Sequence, residues 1–153
     1  MAGGWALALA CASIVMAVDQ VTKQIAAAAV DPGHPVDIIF GFELANVRNR
    51  GVAFGLLGGG GDTVVIVTIV TMVLLLGYFA IHASRPGLWA VVGLVIGGAL
   101  GNLADRVRIG AAIDFLDPPL WPAFNLADVA IVAGVAWLAL ALIAQETQPD
   151  EHR

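Results

Sequence analysis

The sequence predicts an all-α membrane protein: four transmembrane helices with a small β-sheet segment on one membrane face. Three observations carry this. Four apolar runs are long enough to cross a bilayer. The 153-residue chain is 59% hydrophobic and 12% charged, with a mean hydropathy of +0.89. Between the first two runs lies a stretch with strand periodicity. A spanning helix needs about 20 mostly apolar residues, within a range of about 17–25.

The first run begins near Gly4 and continues past Asp19 towards Ala29, giving a span at about 4–29. The second, Thr63 to Ile81, and the third, Pro86 to Ala104, each hold nineteen residues without a charge, giving spans at about 63–82 and 86–106. The fourth, Val129 to Ala144, reaches spanning length once Asn125 to Asp128 begin its helix, at about 125–145. The second and third are joined by a few residues around Ser84 and Arg85, which predicts a tight antiparallel pair. Helices are the spanning solution because lipid satisfies no open backbone group.

The segment at about 36–57 reads differently. Phe40, Phe42 and Leu44 alternate with Gly41, Glu43 and Ala45, and Val52 and Phe54 continue the style. That period of two predicts a small sheet on the membrane face, ended by a flexible run at Gly58 to Gly61. The DPPLWP loop before the fourth span is stiffened by three prolines, and Trp121 and Trp89 suit interfacial anchoring. The chain is short enough for a single domain. The acidic end, QETQPDEH, reads as a solvated tail.

Composition also excludes functions. The net charge is −5 and no basic stripe exists to neutralise phosphates, so nucleic acid is not expected as a partner. Cys11 is the single cysteine, so no internal disulfide forms. It reads as a small apolar residue inside the first helix rather than a lipoprotein cleavage box, because no basic region precedes it. His34, His82 and His152 show no metal-ligand spacing. Gly97, Gly98 and Gly101 read as one small-residue packing face; no strand precedes them to make a phosphate loop.

Four spans put both termini on one side. Parity then gathers Asp19, Lys23, Asn49, Asn102, Asp105, Arg106, Asp114, Asn125 and Asp128 at the other face. Acids are scarce, twelve Asp plus Glu in all. A carboxylate near lipid costs roughly 2.5–3.5 kcal/mol on insertion scales, which makes acids held there functional candidates. Asp114 and Asp128 lie fourteen residues apart across a short loop. A re-entrant connection would bring them together, and two close carboxylates share one proton and activate a water. The alternative is a helix cap at Asp128 and an exposed loop acid at Asp114. Asp19 and Lys23, at i and i+4, read first as a structural ion pair. Asn102 and Arg106 are polar residues at a helix end, or hold substrate carbonyls or lipid phosphate. Intramembrane acids also mark ion pathways, so a transporter component and a purely structural subunit are competing classes. Arg48, Arg50, Arg106 and Arg108 lie on the polar face, against Arg85 and Arg153 on the other. By the positive-inside rule alone the polar face would be cytoplasmic.

The motifs DQVTK (Asp19 to Lys23), NRGVAF (Asn49 to Phe54), GGALGNLADR (Gly97 to Arg106), IDF (Ile113 to Phe115) and FNLADVAI (Phe124 to Ile131) stand in this order. Together they closely resemble the lipoprotein signal peptidases, the type II signal peptidases of bacteria. The departures are Ile113, where valine is common, and Leu103 to Ala104. The resemblance implies a four-helix aspartic peptidase of the bacterial inner membrane, with an extracytoplasmic sheet and no cofactor or metal. The implied substrate is a prolipoprotein cut before its diacylglyceryl-cysteine; membrane lipid and globomycin-type cyclic peptide inhibitors are the other implied partners. Asp114 and Asp128 become the catalytic pair. Asn49, Asn102, Arg106 and Asn125 line the substrate or support the pair, and Asp19 is a supporting acid of the first helix. The site then faces outward with both termini cytoplasmic, and this overrides the charge rule.

Overall fold

The computed structural model describes residues 2–51 and 60–146. Four helices are long and apolar enough to cross a membrane: α1 (Ala2–Ala29), α2 (Gly60–His82), α3 (Leu88–Ile109) and α4 (Leu126–Glu146). Three strands complete the described chain: β1 (Val36–Ile39) and β2 (Phe42–Asn49) between α1 and α2, and β3 (Ala112–Asp117) between α3 and α4. They form one antiparallel sheet in the order β1-β2-β3. Val52, Phe54, Gly58 and Gly59 and the acidic tail from residue 147 lie outside the described residues, while Gly60 and Gly61 belong to the first turn of α2.

α3 is the central element. Most of it is buried, whereas the other three helices face mainly outward. Val91, Val92 and Ile96 of α3 pack with Ala8 and Ala12 of α1 and Phe79 of α2. The outward residues of α2, among them Ile66, Val70, Val73 and Leu74, are exposed and apolar, as a lipid-facing surface requires.

Close approach to α3 depends on glycines. The glycines of GGALG do not make one face; they make two. A Cβ on Gly97 would stand 2.7 Å from the Ala12 carbonyl oxygen of α1, and Gly93 and Gly101 face the same helix. A Cβ on Gly98 would stand 2.5 Å from the Ala127 carbonyl oxygen of α4. Within a bilayer helices associate by such van der Waals contact, since lipid is as apolar as the side chains.

The sheet corrects the sequence reading twice. Phe40 is not a strand residue. It forms the hairpin turn with Gly41 at φ of 51° and 78°, the left-handed pair that a two-residue hairpin favours. The sheet, expected at about 36–57 alone, also takes in the segment around Asp114, a strand paired to β2 with Val47 opposite Asp114 and Asn49 opposite Ala112. The loop after β3 then folds back. Phe124 donates to the Leu116 carbonyl at 2.9 Å and its own carbonyl accepts from Leu116 at 2.9 Å and Phe115 at 3.1 Å. This clamp sets Asn125 and the start of α4 beside β3. The pattern of 36–49 was legible because the eight-residue β2 lies in it; β3 was not, because Ala112–Asp117 is too short to alternate clearly.

A buried ion cluster joins α1 to α3. Lys23 Nζ lies 2.8 Å from Asp19 Oδ2 and 2.8 Å from Asp105 Oδ2, with all three side chains fully buried. Its third donor goes to Asn102 Oδ1 at 2.8 Å. Asp19 Oδ1 accepts the Ala127 N–H at 2.9 Å, an otherwise unpaired donor in the first turn of α4. Asp105 Oδ2 also accepts from the Ile113 N–H at 3.4 Å, which reaches β3. Gln20 and Arg108 close the outer side on Asp105 Oδ1 at 3.1 and 2.8 Å.

Two outcomes are expected. Lys23→Met leaves buried Asp19 without a cation and Asp105 with Arg108 alone, and destabilises the protein by about 3–5 kcal/mol; unfolding in mixed micelles measures it, and the Lys23→Met/Asp105→Asn double variant should lose less than the two single losses summed. Gly98→Ala forces α3 and α4 apart and costs about 1–3 kcal/mol, whereas Gly77→Ala, which meets nothing within 4 Å, is neutral or slightly stabilising.

Candidate active site

Asp114 and Asp128 come together through a shared neighbour. Asn125 Nδ2 donates to Asp114 Oδ1 at 2.6 Å, and the Asn125 backbone N–H donates to Asp128 Oδ2 at 3.2 Å. Asp128 reciprocates, its own N–H donating to Asn125 Oδ1 at 3.0 Å. This exchange between residues i and i+3 is a capping box at the start of α4. The cap reading and the paired-carboxylate reading of Asp128 therefore describe one geometry: the cap holds the acid in place.

Each remaining carboxylate oxygen meets another asparagine. Asp114 Oδ2 accepts from Asn49 Nδ2 at 2.8 Å, a diagonal contact across β2 and β3 from the same sheet face. Asp128 Oδ1 accepts from Asn102 Nδ2 at 2.8 Å. The orientation of all three amides is fixed by chemistry. Asn49 Oδ1 accepts the Gly51 N–H at 2.8 Å. Asn102 Oδ1 accepts from Lys23, which can only donate. Asn125 Oδ1 accepts the Asp128 N–H. Every amino end is thereby turned towards a carboxylate.

Asp114 is 1% exposed and Asn125 fully buried. Burial pushes the Asp114 carboxyl up from the ordinary 3.8 to about 6, and the neighbouring charge of Asp128 adds to it. Hydrogen bonds from Asn49 and Asn125 pull the other way. A buried carboxyl beside a second one, each cradled by donors, is suited to holding a shared proton.

Beside Asp128 a groove of about 400 Å³ opens, lined by Trp121, Phe124, Val129, Val132 and Ala133. Apart from Asp128 its walls are apolar, and Val132 and Trp121 are largely exposed. It can hold hydrophobic groups directly against a carboxylate.

Of the residues expected here, Asp114, Asp128, Asn49, Asn102 and Asn125 form one hydrogen-bonded unit. Asp19 lies below it, acting through Lys23 and the Ala127 N–H rather than touching either carboxylate of the pair. Arg106 stands at the edge, one turn beyond Asn102, and donates from Nη1 to the Asn102 carbonyl at 3.3 Å. Its Nε is buried without a hydrogen-bond partner among the described residues. Sequence reasoning missed that Lys23 orients Asn102, and it missed Asp105 and Gln20 as partners in the support. These contacts span 79 to 85 residues of chain, and no local pattern encodes them.

The chain is similar to known proteins over most of its length. A sequence model of signal peptidase (SPase) II matches residues 11–144. The lipoprotein signal peptidase of Pelotomaculum thermopropionicum is 45% identical over 133 residues, covering 86% of this chain and 88% of that one. That of Moorella thermoacetica is 42% identical over 134 residues, covering 86% and 89%. A solved bacterial membrane enzyme, determined by the in meso method at 2.3 Å resolution, superposes with a TM-score of 0.82 at 32% identity, covering 95% of this chain and 93% of the other. With a family model matched over residues 11–144 and relatives above 40% identity along most of their own length, the chain belongs to the signal peptidase II family.

Proposed function

We propose that this membrane peptidase removes signal peptides from diacylglyceryl-modified prolipoproteins, with Asp114 and Asp128 as an aspartyl pair acting on water. Family membership supports lipoprotein signal-peptide processing. The observation that carries the aspartic mechanism is the Asn125 bridge, which hydrogen-bonds to both carboxylates.

In this reading Asp114, raised by burial, retains the proton and Asp128 takes one from water. The water oxygen attacks the carbonyl carbon of the residue preceding the lipidated cysteine. Asp114 gives its proton to the carbonyl oxygen. The tetrahedral intermediate collapses as Asp114 takes back a hydroxyl proton and the amine of the cysteine leaves, protonated by the acid that Asp128 has become. The three asparagines position the pair without themselves changing protonation. The apolar groove along α4 holds hydrophobic parts of the substrate, and the free donors of Arg106 meet its carbonyl or headgroup oxygens. Globomycin-type cyclic peptides would occupy the same place. The pair faces outward from the bacterial inner membrane, with both termini in the cytoplasm.

Asp114→Asn and Asp128→Asn are each expected to lower cleavage of a diacylglyceryl precursor by at least about 10²-fold in detergent or liposomes; near-normal turnover of either folded variant would sink the mechanism. A pH profile tests the acid. Asn49 stabilises the ionised form of Asp114, so Asn49→Ala raises the Asp114 pKa and moves the basic limb of kcat/KM to higher pH. A limb that stays put or moves down contradicts the assignment. Stability has the matching sign. The folded value of about 6 exceeds the ordinary 3.8, so this group's stabilisation is full below 3.8 and is lost as pH rises through 6. Asp114→Asn should flatten that part of the pH–stability curve.

A further inference from the structure

The turn joining α2 to α3 lies on the bilayer face opposite the carboxylate pair, and its side chains take no part in the peptidase chemistry. Arg85 donates from Nη1 to the Tyr78 hydroxyl at 2.8 Å, with its guanidinium carbon 5.9 Å from the Tyr78 ring centre. The Tyr78 ring stacks on His82 at 4.3 Å, and His82 Nδ1 lies 3.0 Å from the Tyr78 carbonyl oxygen. Arg85 is thus anchored by one donor. Its other guanidinium N–H groups have no side-chain acceptor, and no carboxylate pairs with it, among the described residues.

Beside this cation an open cleft runs between α3 and α4, walled by Val91, Trp137, Leu138 and Leu142. Trp137 closes against the turn: a Cβ on Gly87 would stand 3.4 Å from its ring. Trp137 and Leu142 are 48% and 43% exposed, so the wall continues onto the lipid-facing side of α4.

A fixed cation at the end of an apolar wall matches an amphiphile with an anionic head. Guanidinium binds phosphate oxygens through two parallel donors. Indole rings sit at headgroup depth, and basic pockets between spans take acidic headgroups. A free phosphate would use Arg85 and leave the wall unused; a neutral lipid would do the reverse. We infer that the Arg85 cleft binds an anionic phospholipid, its phosphodiester on Arg85 and an acyl chain along Trp137 and Leu142. This site is independent of the proposed catalytic mechanism and needs only the membrane-spanning fold.

The test uses the full chain in neutral detergent, with thermal melts and native mass spectrometry against phosphatidylglycerol, phosphatidylcholine of the same chains, and inorganic phosphate. Phosphatidylglycerol is expected to bind saturably and raise the melting temperature more than phosphatidylcholine does. Arg85→Gln should weaken that binding about tenfold, Arg85→Lys should retain part of it, and Arg48→Gln, which removes an exposed cation on the opposite face, should leave it intact. Trp137→Ala keeps the cation and removes the wall; it too should weaken phosphatidylglycerol, and it carries the test if Arg85→Gln fails to fold. Wild-type affinity in both Arg85→Gln and Trp137→Ala, equal binding of the two lipids, or a full shift from phosphate alone would overturn the inference. So would binding that appears only after removal of residues 147–153, which would assign the cleft to the chain's own acidic tail.

Discussion

One buried ammonium organises this protein. Lys23 is fully buried, and each of its three donors has an acceptor: Asp19, Asp105 and Asn102. An ion removed from water costs several kcal/mol unless its partners are near and all its protons are used. Here the partners come from two helices, α1 and α3, so the ion is tolerable only when those helices are in register. The same demand reaches α4, because the far oxygen of Asp19 holds the Ala127 N–H. It reaches the chemistry as well. Lys23 cannot accept a hydrogen bond, so Asn102 must show it the oxygen and turn its amino group to Asp128. A charge well below the site thus sets the polarity of a donor within it.

The register that Lys23 requires depends on small residues. Gly97 and Gly101 let the α1 backbone approach α3 on one side, and Gly98 lets α4 approach on the other. Helices at ordinary spacing would leave the ammonium short of Asp105 and the Asn125 cap short of Asn102. Packing and electrostatics are therefore one constraint seen at two places. In lipid, where burial of apolar surface supplies little preference between helices, contact and polar pairing have to supply it.

Two local devices finish the site. The β3 strand holds Asp114 by ladder bonds to β2, and the returning clamp at Phe124 delivers Asn125 next to it. The capping box then fixes Asp128 one turn into α4. Each carboxylate is positioned by backbone structure rather than by a long mobile side chain. The raised Asp114 carboxyl is the electrostatic result of placing an acid where water is excluded and a second acid is near.

Much of this was legible in the residues. Four apolar runs determined four spans, because backbone groups in lipid must be satisfied within helices. Parity placed the polar residues on one face, and the ordered motifs around Asp19, Asn49, Asn102, Asp114 and Asp128 carried the family resemblance. The sequence could also show that Asp19 and Lys23 pair, since a helix brings i and i+4 together. It could not show that Lys23 serves Asp105 and Asn102 too, that GGALG splits into two faces, or that Asp114 rides on a strand. Those facts depend on contacts between residues far apart in the chain, 79 residues for Lys23 and Asn102 and 65 for Asn49 and Asp114, which close only when helices meet. A single chain encodes periodicity and local pairing directly, because neighbours in sequence are neighbours in space. Which distant groups share a cation or an amide is decided by packing, and that belongs to the tertiary structure.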